Sequence, residues 1–114
     1  MLRIGAGMLT CGGACRGTLR RVSGVADVLR LMQSDVSGVI LLTNAASATF
    51  VTPLFPLVRG IVCTTGGATS HIALIAREFN LSCLMAAQID HTGELDGRTA
   101  GFTEDGTLYL EPEP

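Results

Sequence analysis

Residues 60 to 86 limit the possible folds more than any other part of the chain. Gly60-Ile61-Val62-Cys63 is a short apolar strand, residues 64 to 70 form a glycine-containing loop, and Cys83-Leu84-Met85-Ala86 is a second apolar strand. Between loop and second strand, Ile72, Ile75, Ala76 and Phe79 recur at i, i+3, i+4 and i+7, with Arg77 and Glu78 off that stripe. The spacing predicts a helix. Thr69 or Ser70 can cap its start, and Asn80 suits a left-handed stop. Strand, loop, helix and strand in this order pack as a right-handed crossover with the helix on one sheet face.

The flanking segments add elements around that unit. Gly38 to Thr43 is a continuous apolar run, the pattern of a central strand buried on both faces. Gly17 to Val22 alternates as a strand, with Leu19 opposite Arg20 and a turn at Ser23-Gly24. Val25, Val28, Leu29 and Met32 predict a packing helix over 25–33. Residues 44 to 52 read as a loop, and Pro56 limits residues 53 to 58 to a short helix or turn. Asp105-Gly106 lies inside a terminal hairpin made by 98–102 and 107–110. The glycines of residues 1 to 16 predict turns, since Gly5-Ala6-Gly7 lacks the rest of a dinucleotide fingerprint. One domain spanning 1–114 is expected, with 1–12 and 111–114 peripheral to it.

The chemistry concentrates at His71. Gly66-Gly67 lets backbone N–H groups approach a ligand, and the helix start beside them favours an anion. On the helical wheel His71 flanks the apolar stripe, so its ring can face outward as a nucleophile for phosphoryl transfer through phosphohistidine. A solvated histidine beside a tight turn fits the same residues. Thr43, Asn44 and Thr49 are candidate ligand contacts at a strand end, or caps. Arg16, Arg20 and Arg21 form a basic cluster that could help hold phosphate or could line a solvated strand face. His91, beside Asp90, is a second acid or base or a solvated loop residue.

Composition removes other classes. A chain of 114 residues can build a core without staples. A net charge of −2 and 4% aromatic residues leave neither a phosphate-backbone footprint nor base-stacking platforms, so no nucleic acid partner is expected. The apolar runs are too short to span a bilayer, and Met1-Leu2-Arg3-Ile4 leads into glycines instead of a signal peptide's apolar region. No membrane association and a cytoplasmic location are expected. Cys11, Cys15, Cys63 and Cys83 lack the spacing of a zinc set and are expected as free thiols, with no metal.

Gly66-Gly67-Ala68-Thr69-Ser70-His71, followed by Ala73, Ile75 and Ala76-Arg77, resembles the Gly-Gly-x-Thr-Ser-His signature of one family. It is the phosphohistidine (mobile, swivelling) domain of the phosphoenolpyruvate-utilising enzymes: pyruvate phosphate dikinase, phosphoenolpyruvate synthase and enzyme I of the sugar phosphotransferase system. The likeness covers most of residues 13 to 110, including Thr52-Pro53-Leu54-Phe55-Pro56, Gly60-Ile61-Val62 and Leu95-Asp96-Gly97. It implies an α/β fold, a swivelling β/β/α domain with a sheet core and the histidine-bearing helix at a strand–loop–helix junction. It also implies that His71 carries the phosphoryl group, steadied by Gly66, Gly67, Thr69 and Ser70. Thr69 matches a threonine that is a regulatory phosphorylation site in plant pyruvate phosphate dikinase. Where family members usually have Gly-Ile-Pro after the helix, this chain has Asn80-Leu81-Ser82.

The resemblance further implies a phosphoenolpyruvate- or ATP-binding partner domain or protein. Neither a nucleotide-binding domain nor a barrel fits in this length, and no acidic cluster marks a Mg²⁺ site. The chain carries no cofactor on this reading, and Mg²⁺ belongs to the partner. The expected function is a phosphotransferase component, a carrier incomplete as an enzyme alone. The alternatives are a non-catalytic interaction module, as in the similar domain appended to some pyruvate kinases, and a small-anion-binding protein.

Overall fold

A computed structural model describes residues 2–44, 48–67, 70–91 and 93–112. The strands are β1 (Leu2–Cys11), β2 (Cys15–Arg21), β3 (Val39–Thr43), β4 (Gly60–Cys63), β5 (Ser82–Ile89), β6 (Thr99–Phe102) and β7 (Thr107–Leu110). Helix α1 (Val25–Met32) joins β2 to β3, and α3 (His71–Glu78) joins β4 to β5. Between β3 and β4 lie the four-residue α2 (Ala48–Val51) and a 3-10 turn, Thr52–Leu54.

The strands close into a barrel in the order β1-β5-β4-β3-β2-β6-β7. One half, β2-β3-β4-β5, is parallel, because each connection is a crossover that passes over the outer face. The remaining pairings are antiparallel, including the β6–β7 hairpin.

Alternation along the parallel strands divides the core in two. Leu19, Ile40, Leu42, Val62 and Leu84 point into the barrel, where they meet Phe102 and Leu108. Their neighbours Leu41, Ile61, Cys63, Cys83 and Met85 point outward, under Val28, Leu31, Leu54, Phe55, Ile72 and Ala76. All five residues of β3 are buried for this reason. The interior is filled by side chains, each fully buried Leu or Ile contributing roughly 1.5–3 kcal/mol.

The expected α/β fold, a swivelling β/β/α domain around a sheet core, is overturned by this closure. Among the described residues the chain forms a seven-strand barrel with short helices on one side. The cause lies in β1, a ten-residue strand where turns are expected. It pairs with β7 through Leu2–Ala6 and with β5 through Gly5–Cys11, bending at three register shifts. Its glycines serve close approach at that bend: a Cβ at Gly5 would run into the Gln88 carbonyl, and one at Gly7 would lie 2.7 Å from the Met85 carbonyl oxygen. Residues 2–11 thus close the barrel.

Two helical stripes also differ from expectation. In α1 the buried residues are Val28 and Leu31, while Val25, Leu29 and Met32 are exposed. In α3 the buried face is Ile72, Ala73 and Ala76, and Phe79 lies exposed at the C-cap. Asn80 takes the left-handed conformation expected of it, with φ 54°. No helix among the described residues is long and apolar enough to cross a membrane.

Candidate functional site

The C-terminal ends of the parallel strands meet at one pole of the barrel, and the loop before α3 grows from it. Thr43, buried at the end of β3, donates its hydroxyl to the Val22 carbonyl at 3.2 Å. Its own carbonyl accepts from the Thr64 N–H at 3.0 Å and the Thr64 hydroxyl at 3.4 Å. The Cys63 thiol donates to the Thr65 carbonyl at 3.1 Å, and burial pushes that thiol's pKa up. Thr43 is therefore a tie between strand ends, and the loop starts from a fixed base.

The two glycines of the loop differ. Gly66 has φ +83°, and a Cβ there would meet the Met85 Cε and Ser70 Cβ at 3.2 Å. Glycine is required by the fold at that position. Among the described residues a Cβ at Gly67 would meet nothing within 4 Å, and its φ is not left-handed. None of the described residues requires glycine there.

Ser70 is the N-cap of α3: its backbone is extended, and its hydroxyl oxygen accepts the Ala73 N–H at 3.3 Å. With that oxygen accepting, the hydroxyl proton remains able to donate elsewhere. His71 is the first helical residue and is exposed. Leu74 and Glu78, at i+3 and i+7, share its outward side, opposite the buried Ile72, Ala73 and Ala76. Glu78 lies off the apolar stripe as its sequence position predicts, and the apolar Leu74 lies off it as well. Thr69 lies outside the described residues, as does the side chain of Thr49.

Other candidates sit elsewhere or are already engaged. Arg16 forms a bidentate pair with Glu111 at 2.7 and 2.8 Å. Arg20 and Arg21 line an open groove of about 570 Å³ between β2, α1 and residues 94–96. There Arg20 faces Asp96 at 3.6 Å and Arg30 faces Asp27 at 3.6 Å. The Asp96 and Leu95 N–H groups, with Arg21 nearby, hold the Glu94 carboxyl below its usual range. His91 is half-buried, its ring leaning over Gly93. Asn44 is exposed at the end of β3. All four cysteines are free thiols. Among the described residues no group of three or more His, Cys, Asp or Glu side chains could hold a metal ion.

Residues 35–100 match the family described as PEP-utilising enzyme, mobile domain. That segment contains the glycine loop and all of α3. The chain belongs to this family. Members of the mobile-domain family work with partner domains. The chain is also 32% identical over 92 residues to chondramide synthase cmdD of Chondromyces crocatus, covering 81% of this chain and 2% of that protein. It thus spans a small fraction of that relative's length.

Among solved structures, the microcin C7 self-immunity protein MccF superposes with a TM-score of 0.58 at 11% identity, over 93% of this chain and 41% of that one. The solution structure of a UPF0107 protein gives 0.53 at 10% identity, over 94% and 98%. At such identities the likeness concerns the fold alone.

Proposed function

We propose that this mobile domain is a phosphoryl carrier, accepting the group on His71 from phosphoenolpyruvate or a nucleotide held by a partner and delivering it to a second site. The observation that carries the proposal is the exposed His71 at the first position of α3, within the segment that matches the family. In this reading a ring nitrogen attacks phosphorus. The N–P bond forms as the P–O bond to the donor breaks, and the electron pair leaves with the donor oxygen. The ring's other N–H proton passes to water. Backbone N–H groups near Gly66 and Gly67, with the hydroxyls of Thr69 and Ser70, steady the phosphoryl oxygens. Mg²⁺ belongs to the partner's site.

The test is intact mass spectrometry after incubation with phosphoramidate, a small chemical donor. A parallel set uses phosphoenolpyruvate or ATP with pyruvate phosphate dikinase, phosphoenolpyruvate synthase or enzyme I, each with its own carrier histidine replaced by alanine. One acid-labile phosphoryl group, absent from His71→Ala, is expected. No adduct from any donor, or an adduct that survives in His71→Ala, overturns the carrier. Absence of an adduct from every donor, together with unchanged partner binding by His71→Ala, favours the interaction module.

A further inference from the structure

A nucleophile that meets a donor held in another domain must bring its own surroundings into that domain's site. The reacting atoms have to approach to about 3–3.5 Å. His71 projects from the outward side of α3, so the residues one and two turns along that side enter the contact with it. They are Leu74, 47% exposed, and Glu78, also exposed. Neither is used by the domain itself: Leu74 is outside both buried clusters, and Glu78 makes no ion pair or hydrogen bond among the described residues. The adjacent Arg77 instead reaches toward β1, where its guanidinium donates to the Thr10 carbonyl at 3.5 Å. The outward stripe is therefore nucleophile, apolar contact, carboxylate.

Resting on the carrier reading, we infer that His71, Leu74 and Glu78 form the docking face for the cation-rimmed phosphoryl-donor site of the partner. Charge complementarity selects this occupant. A site that holds a multiply charged phosphoryl donor is lined with cations, and Glu78 places a free carboxylate on the same side as the attacking ring. A small apolar contact with one charge suits an encounter that must also end.

The experiment compares Leu74→Asp and Glu78→Lys with wild-type protein, using phosphoramidate and the donor enzyme that phosphorylates wild-type His71. Both side chains are exposed, and equal melting temperatures confirm that the fold is kept. Transfer from the enzyme should fall about tenfold for Leu74→Asp. It should fall roughly three- to tenfold for Glu78→Lys, with a flatter salt dependence of the rate. Phosphorylation by phosphoramidate, which has no rim to dock against, should be unchanged. Equal enzyme rates in all three proteins overturn the docking face and leave the carrier intact. A parallel fall with phosphoramidate also overturns it, since the substitutions would then act on the imidazole itself. Absence of any adduct on wild-type protein removes the carrier reading and this inference together.

Discussion

The groove beside β2 and the pole that bears His71 show two ways in which a surface relates to an anion. The groove has three arginines, yet carboxylates from α1 and residues 94–96 offset them. The pole presents an exposed histidine at a helix start, beside a glycine whose added Cβ would meet nothing within 4 Å among the described residues. Charge count would select the groove; on the carrier reading proposed above, the exposed His71 selects the pole.

The largest expected effect separates the two regions outright. His71→Ala should abolish the phosphoryl adduct, while Arg20→Ala and Arg21→Ala should leave its yield within about twofold, as expected for exposed pairs. Loss of the adduct in either arginine variant, measured by intact mass, would show that the groove takes part.

A second contrast comes from pH, because each region rests on different titrating groups. Beneath α3, burial pushes the Cys83 thiol up to about 12 and also raises Cys63. An unfolded thiol ionises near 8.5, so the folded state holds more protons above that pH and stability falls as pH rises from about 8.5 toward 12. For Cys83 alone the loss should reach about 2 kcal/mol by pH 10, at about 1.4 kcal/mol per pH unit. Denaturation midpoints at pH 7.5 and 10 should show it, and Cys83→Ala should flatten the difference.

The glycines sharpen the comparison within the pole. Gly66→Ala should cost about 1–2 kcal/mol, since it forces a left-handed backbone and a tight contact with Met85 and Ser70. Gly67→Ala should stay within about 0.5 kcal/mol in thermal melts yet slow phosphoryl uptake. Equal effects on stability would erase the distinction between a glycine held by the fold and one held by the ligand.

The smallest effect belongs to the groove. The Ser23 N–H holds the Asp27 carboxyl below its usual range, with further contributions from the Ser23 hydroxyl and Arg30. The sign is opposite to that of the thiols: this stabilisation is present above the unfolded carboxylate pKa, near 3.9, and is lost as pH falls through the folded value. Below about pH 4 the start of α1 should loosen while α3 remains intact. The Ser23 and Ala73 amide resonances report the two sites in one titration.

Much of this was legible in the residues. The apolar run at 38–43 and Gly60–Cys63 declare strands because burial on both faces leaves no room for polar residues. Asn80 declares a helix stop because few side chains tolerate its backbone. The glycine loop and His71 stand where strand–loop–helix order puts them. Barrel closure was not legible, because glycine that permits a strand crossing looks the same in sequence as glycine that permits a turn. Only the Gln88 and Met85 carbonyls, far along the chain, distinguish them at Gly5 and Gly7. The faces of the helices were also ambiguous: Val25, Leu29, Met32 and Phe79 share apolar spacing with buried neighbours, and which stripe turns inward depends on the sheet beneath.

Because β1 is hydrogen-bonded to β5 and β7 at once, the sheet has no free edge. On the carrier reading, a domain that met successive partners would otherwise carry a row of unpaired backbone groups, able to borrow or donate a strand at each encounter. Closure leaves recognition to side chains and loops, whose contacts can form and break without rearranging the backbone.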